Sequence, residues 1–70
     1  MRIHILSRLF RDPVKAELES ARSAFAEAYR ENRAATDRQD TRRMRASAIA
    51  LRAANTRLLR AEMAFDEARA

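Results

Sequence analysis

A seven-residue repeat runs through the stretch 41–70 and limits what this chain can fold into. Large apolar and small side chains alternate there at spacings of three and four residues: Met44, Ser47, Leu51, Ala54, Leu58, Ala61, Phe65 and Ala68. Such spacings put all of these side chains on one side of an α-helix. The chain has no Gly and a single Pro, so little interrupts a long helix. The pattern therefore predicts a helix over residues 41–69 with one core-facing line of side chains, which we call its seam.

A second seam of the same kind lies in the first half of the chain. Its members follow one another at spacings of four and three residues: Val14, Leu18, Ala21, Phe25, Ala28, Asn32 and Ala35. Asp12 is a good N-cap, and Pro13 is favoured as the first residue of a helix. These two residues predict that the first helix begins at Pro13 and covers residues 13–36.

The segment 37–40 is the predicted turn between the two helices. Asp37 and Asp40 are both candidate N-caps for the second helix, and Thr36 and Gln39 have the spacing of a capping box. Because so short a connection makes neighbouring helices antiparallel, the chain is predicted to be an all-α helical hairpin.

The two seams match when the hairpin is closed in this way. Phe25 then opposes Leu51 and Leu18 opposes Leu58, with no shift needed to align them. The predicted core follows from this register: Val14, Leu18, Ala21, Phe25, Ala28, Met44, Leu51, Ala54, Leu58 and Phe65.

Seventy residues make a single domain, residues 1–70, with a limited capacity to bury surface. Much of the seam is Ala, which buries little area, and the chain has no Cys for a disulfide or a thiolate metal site. Small scaffolds of this kind commonly gain stability by oligomerisation. We therefore expect a homodimer, in which two hairpins form a helical bundle.

Residues 1–12 are predicted to be a short N-terminal arm. Ile3, Leu6 and Phe10 would share one helical face, and alternation in the same segment also fits a short strand or extended arm. Of these, a short helix or an irregular arm is favoured. One interpretation is that the arm packs over the open end of the hairpin, where it meets Phe65. The other is an amphipathic segment that lies on a membrane surface, although so short a segment offers little area for it.

The side of the second helix opposite its seam combines arginines with apolar residues. Ile49, Thr56 and Met63 recur there every seven residues, and several arginines lie between them. The residues predicted to bind a partner are Arg38, Arg42, Arg45, Ile49, Arg52, Thr56, Leu59, Arg60 and Met63. Arg and Met are enriched in protein interfaces, and Arg is a frequent hot spot.

These arginines lack the ordinary intrahelical ion pairs. Arg42, Arg45, Arg52, Arg57 and Arg60 have no acidic residue three or four positions away. Arg43 and Arg57 flank the seam, so they could reach acids on the first helix. Residues 38–60 hold seven Arg against Asp40 alone, and the whole chain has a formal charge of +5. The asymmetry indicates an anionic partner or an acidic patch on a protein.

The sequence predicts a non-enzymatic protein that needs no cofactor. His4 is the only histidine, and without Gly there is no phosphate-binding loop. No apolar run approaches the length of a transmembrane helix or a signal peptide, which makes a cytoplasmic location the default. Fourteen of the fifteen basic residues are Arg, as in GC-rich bacterial or phage genes.

The arginine-rich face could be the contact between copies of a dimer or higher oligomer, or it could bind a separate protein or nucleic acid. For the protein as a whole, three functions compete. The leading hypothesis is an interaction protein, of the kind that a phage or mobile element encodes, which binds and modulates or inhibits a bacterial protein. In layout the predicted hairpin also resembles the small helical-hairpin dimers typified by the plasmid copy-control RNA-binding protein Rop. That likeness implies an RNA- or DNA-binding regulator, and Arg suits phosphate recognition. Against nucleic acid, the face has no aromatic side chain for base stacking. The third hypothesis is a structural subunit of a larger assembly, such as a virion.

Overall fold

The structure, a computed structural model, describes the backbone of residues 2–70 and the side chains of residues 12–70. Within these limits it contains two helices, α1 (Arg2–Asp37) and α2 (Thr41–Arg69), which pack along each other. The all-α helical hairpin is therefore confirmed. The molecule is a rod of 57 × 13 × 12 Å, which is about the length of a straight 36-residue helix at 1.5 Å per residue. Over the described residues, neither helix is long and apolar enough to cross a lipid bilayer.

The predicted helix start at Pro13 is wrong. The backbone of α1 is helical from Arg2 and continues through Pro13, so residues 2–12 belong to the first helix and do not form a separate arm. A proline inside a helix removes one hydrogen bond and crowds the preceding turn, at a cost of roughly 3 kcal/mol. Its flanks contain good helix formers such as Leu9 and Lys15, and no Gly. The predicted contacts of Ile3, Leu6 and Phe10 involve side chains outside the described residues.

A tight turn joins the helices, with Asp40 shared between them. At the end of α1, the N–H of Asp40 donates to the carbonyl of Ala35 at 3.0 Å, and the N–H of Gln39 donates to Thr36 at 3.0 Å. This is the Schellman pattern, which needs a left-handed residue, and Gln39 supplies it with φ 54°. The carboxylate of Asp40 then accepts from the N–H of Arg43 at 3.1 Å and caps α2.

The other two candidate caps have different roles. The helix α1 extends through Asp37, one residue further than predicted. The hydroxyl of Thr36 donates back to the carbonyl of Asn32 at 2.8 Å and so caps nothing in α2. The capping box of Thr36 and Gln39 is therefore absent, because both residues are used to end α1.

The seams meet along the whole hairpin, and they are buried to different degrees. Most of the small residues are buried, as Ala21, Ala28, Ala54 and Ala61 illustrate, whereas most of the large ones are half-buried. The half-buried members of the predicted core are Val14, Phe25, Met44, Leu51, Leu58 and Phe65. Among the described side chains, Leu18 is the only large apolar one that is buried, at 4% exposure. It packs with Ala21 and Ala61, and Leu58 and Phe65 cover that cluster. The core is therefore a single layer of side chains between the two helices, and most of its large residues keep one side in contact with water.

Candidate interaction surface

The outward side of α2 carries all but one of the predicted partner-binding residues, and two of them, Thr56 and Arg60, also border a groove that Glu17 of α1 lines. We call this set the outer strip: Arg42, Arg45, Ile49, Arg52, Thr56, Leu59, Arg60 and Met63. Every one of these side chains is exposed. The exposed fractions of the apolar members are large, at 70% for Ile49, 63% for Met63 and 53% for Leu59. The seam of α2 is occupied by α1, so the fold itself leaves the outer strip in contact with water.

Arg38 is separated from the outer strip. It follows the end of α1, in the turn, and lines a groove at the closed end of the hairpin together with Arg43 and Ala46. It therefore cannot extend the line of residues on the outer face of α2.

One polar member of the outer strip is satisfied within its own helix. The hydroxyl of Thr56 donates to the carbonyl of Arg52 at 3.1 Å. Its hydrogen is therefore not free for a partner, and the methyl group becomes the more important part of the side chain. The centre of the strip thus combines Ile49, Thr56 and Met63 as an apolar line with arginines on both sides.

Among the described side chains, the arginines of the outer strip lack the ion pairs that the arginines flanking the seam make, as do Arg22, Arg30, Arg33 and Arg38. Among the described side chains, Arg42, Arg45, Arg52 and Arg60 have no carboxylate within 4.0 Å. Three arginines outside the strip do have one: Arg43 with Asp40 at 3.5 Å, Arg57 with Glu17 at 2.6 Å, and Arg69 with Asp66 at 3.8 Å. The arginines that flank the seam are thus used within the hairpin, whereas those of the strip are available to a partner.

Arg57 makes the main polar link between the helices. Its Nε donates to Oε2 of Glu17 at 2.8 Å, and its Nη2 donates to Oε1 at 2.6 Å, which is the bidentate geometry that arginine favours with carboxylates. The same Nη2 also donates to the hydroxyl of Ser20 at 3.0 Å. The expectation that Arg57 reaches an acid on the first helix agrees with this pair, whereas Arg43 instead meets the Asp40 cap.

The pair shifts the titration of both partners. The hydrogen bonds from Arg57, and to a smaller extent its charge, lower the pKa of the Glu17 carboxyl below its ordinary value. For the same reasons the pKa of Arg57 is raised. Both side chains are nearly half exposed, at 42% for Arg57 and 48% for Glu17, so solvent screens their attraction.

A second polar link lies nearer the turn. The amide Nδ2 of Asn32 donates to the hydroxyl of Ser47 at 3.0 Å, and that hydroxyl donates to the carbonyl of Met44 at 3.1 Å. Asn32 interrupts the seam of α1 and Ser47 is the buried polar residue of the α2 seam. Since each satisfies the other, the interruption leaves no buried polar side chain without a partner among the described residues.

Two features of the hairpin were not recognised in the sequence. The hydroxyl of Ser20 joins the Arg57 pair; its position three residues after Glu17, on the same helix face, was the available signal. The second feature is a line of shallow grooves on one side of the hairpin, lined by exposed alanines such as Ala34, Ala50 and Ala53. Only the relative rotation of the two helices reveals that side.

Comparison with known proteins adds no relative to this description. No protein-family model matches the chain, and no curated protein sequence or solved structure matches it significantly. The candidate interaction surface is therefore defined by its own residues alone.

Proposed function

We propose that this protein is a non-enzymatic interaction protein that binds a bacterial protein through the outer strip and thereby modulates or inhibits it. The observation that supports the proposal is the coincidence of unpaired arginines with Ile49, Leu59 and Met63 on one exposed helical face. The fold does not need this face, because the seam of α2 supplies the contacts with α1. A partner with an apolar patch bordered by carboxylates would fit it.

The exposed apolar side chains favour a protein over a nucleic acid. Large apolar groups on a helix gain free energy when another surface removes them from water, and a phosphate backbone offers little of that kind. The arginines, in contrast, suit both partners. Binding to RNA or DNA is therefore the second candidate, favoured by the unpaired arginines and the formal charge of +5.

Affinity capture with matched variants tests the proposal. The tagged protein, with nuclease added, is used to capture partners from lysates of bacteria and of phage-infected cells. Arg45→Ala and Arg52→Ala should weaken capture of a specific protein by tenfold or more if these arginines lie at a desolvated contact, since hot-spot truncations cost about 2 kcal/mol or more. Arg30→Ala removes an exposed arginine from α1 and is the matched control. A partner that Arg45→Ala, Arg52→Ala and the control all retain equally would contradict a role for the strip.

Salt and an apolar substitution separate the two kinds of partner. Ile49→Asp should abolish a contact with an apolar centre, whereas Ser23→Asp places the same charge on exposed α1 and should have little effect. Binding through phosphates should fall by orders of magnitude between low and moderate salt, because bound counterions are released. Strong salt dependence combined with tolerance of Ile49→Asp would favour the nucleic acid.

A further inference from the structure

The isolated hairpin exposes more surface than a folded chain of its size normally does. Its accessible surface is 6133 Å², whereas a globular monomer of 8.1 kDa exposes about 4,500 Å². The excess is about 1,600 Å², and a standard interface buries roughly 800 Å² on each partner. The elongated hairpin therefore has enough uncovered surface for an interface of standard size.

The two broad sides of the hairpin offer different surfaces for that interface. On the alanine side, the grooves are lined by Ala34, Ala50 and Ala53. Each residue turns a helix by about 100°, which puts Leu51 and Leu58 on the opposite flank of the α2 seam from Ala50 and Ala53. By the same rotation Phe25 and Tyr29 lie on that opposite flank of α1. We call this second side, formed by Phe25, Tyr29, Leu51 and Leu58, the large-residue side.

The large-residue side has more to gain from being covered. Phe25, Leu51 and Leu58 are only half-buried by the partner helix, and Tyr29 is 50% exposed. The free energy of burial is proportional to the apolar area removed from water, and large side chains contribute far more area than alanines. The alanine side also already contains the Glu17–Arg57 pair, which borders its grooves.

Charges at the two edges of the large-residue side determine how a second hairpin would fit. Helix rotation places Lys15 and Arg22 at its α1 edge, with Glu19 near them. Glu62 and Asp66 lie at its α2 edge, with Arg69, which pairs with Asp66 at 3.8 Å. The α1 edge thus keeps a net positive charge and the α2 edge a net negative one. Lys15 and Glu62 lie at about the same level along the rod, since Glu17 on α1 reaches Arg57 on α2. A basic edge and an acidic edge on one face make that face complementary to itself.

Only one of the two possible two-fold axes satisfies this complementarity. With the axis parallel to the helices, α1 of each copy lies over α2 of the other, and Lys15 faces Glu62 of the second copy. With the axis perpendicular to them, α1 lies over α1 and the basic edges meet. Like charges in juxtaposition disfavour that second arrangement.

We propose that two copies of this chain pack through their large-residue sides about a two-fold axis parallel to the helices. The product is an antiparallel four-helix bundle whose shared core contains Phe25, Tyr29, Leu51 and Leu58. In this bundle the two outer strips face in opposite directions, so the dimer holds two partner molecules on opposite faces. The dimer does not depend on the proposed function, but the two-site consequence rests on it.

Two glutamate variants test which side is the interface. Tyr29→Glu places a charge on the large-residue side, and Ala50→Glu places the same charge on the alanine side. Tyr29 is 50% exposed, and Ala50 is also an exposed residue. Sedimentation at micromolar concentration should give twice the chain mass for the wild type and for Ala50→Glu, and a single chain mass for Tyr29→Glu. Circular dichroism on the same samples reports helicity. A monomeric wild type, or a dimer lost by Ala50→Glu and kept by Tyr29→Glu, would overturn the proposal.

Charge reversal tests the axis. Lys15→Glu with Arg22→Glu makes both edges acidic, which should weaken the dimer about tenfold at low salt. Adding Glu62→Lys and Asp66→Lys to the same chain exchanges the two edges and should restore the dimer. A perpendicular axis predicts instead that Lys15→Glu with Arg22→Glu leaves association unchanged. With that axis the α1 edges of the two copies face each other, so like charges meet both before and after the substitutions. Because no partner protein enters these measurements, their outcome is independent of what the outer strip binds.

Discussion

The two apolar lines of α2 have the same seven-residue period and opposite surroundings. The inner line includes Leu51 and Leu58, and it meets an equivalent seam on α1. The outer line includes Ile49 and Met63, which remain 70% and 63% exposed. Periodicity makes a helix amphipathic, but only a matching surface buries the apolar face. The contacts within the hairpin therefore account for the apolar residues of the inner line. They do not account for those of the outer line, for which we propose a contact with a partner.

Matched alanine substitutions should give the largest difference between the two lines. Leu51→Ala leaves a cavity in the thin core and should cost about 2 kcal/mol of unfolding free energy, at the lower end for leucine because the side chain is half-buried. Ile49→Ala should change stability by no more than about 0.5 kcal/mol, since it removes exposed surface and improves helix propensity.

Denaturant unfolding at one fixed protein concentration measures both effects, because association contributes to apparent stability. Phe25→Ala is a further check, since it faces Leu51 in the predicted register and should resemble Leu51→Ala. Equal losses for Leu51→Ala and Ile49→Ala would show that the outer line is buried in the protein in solution.

A turn substitution should produce a smaller effect that leaves both lines untouched. Gln39 has a left-handed φ of 54°, which costs roughly 1–2 kcal/mol for a residue with a Cβ. Gln39→Gly removes that cost but adds about 0.5–1 kcal/mol of chain entropy in the unfolded state. The free energy of unfolding should therefore rise by up to about 1.5 kcal/mol, and the melting temperature should rise with it. Gln39→Val, which tolerates a left-handed φ poorly, should lower it; the opposite order would contradict the left-handed turn.

The smallest expected effect is the pH dependence of stability that the Glu17–Arg57 pair causes. It distinguishes Arg57, which has an ion pair, from the arginines of the outer strip. The pKa of Glu17 is lower in the folded hairpin than in the unfolded chain because Arg57 donates two hydrogen bonds to it. The pair therefore contributes its stability above the unfolded pKa of a glutamate, and the contribution is lost as pH falls through the folded pKa.

Thermal melts at pH values that span the unfolded and the folded pKa of Glu17 measure this contribution. The wild type should lose slightly more stability than Glu17→Gln, and Arg57→Ala should resemble Glu17→Gln. Arg52→Ala, which removes an arginine without an ion pair among the described residues, should follow the wild type at every pH. A steeper acid loss in Glu17→Gln than in the wild type would contradict the role of the pair.

The sequence predicted the hairpin because its main determinant, the apolar period, is local and strong. The predicted start of α1 was wrong because an Asp-Pro pair is typical of a helix N-terminus, yet it is also compatible with a helix that continues through the proline. The sequence could not choose among Thr36, Asp37 and Asp40 as the cap, since that choice depends on where the Schellman turn closes. Side-chain exposure on the outer face also followed from periodicity, but the identity of a partner is not encoded in the spacing of its binding residues.

The order in which the two polar links form follows from where the turn lies. The link between Asn32 and Ser47 spans 15 residues of chain, whereas the pair of Glu17 and Arg57 spans 40. Closing the longer loop first costs about 0.6 kcal/mol more for each doubling of its length, so the hairpin should close from the turn outward. The closed end of the rod should therefore form before its open end.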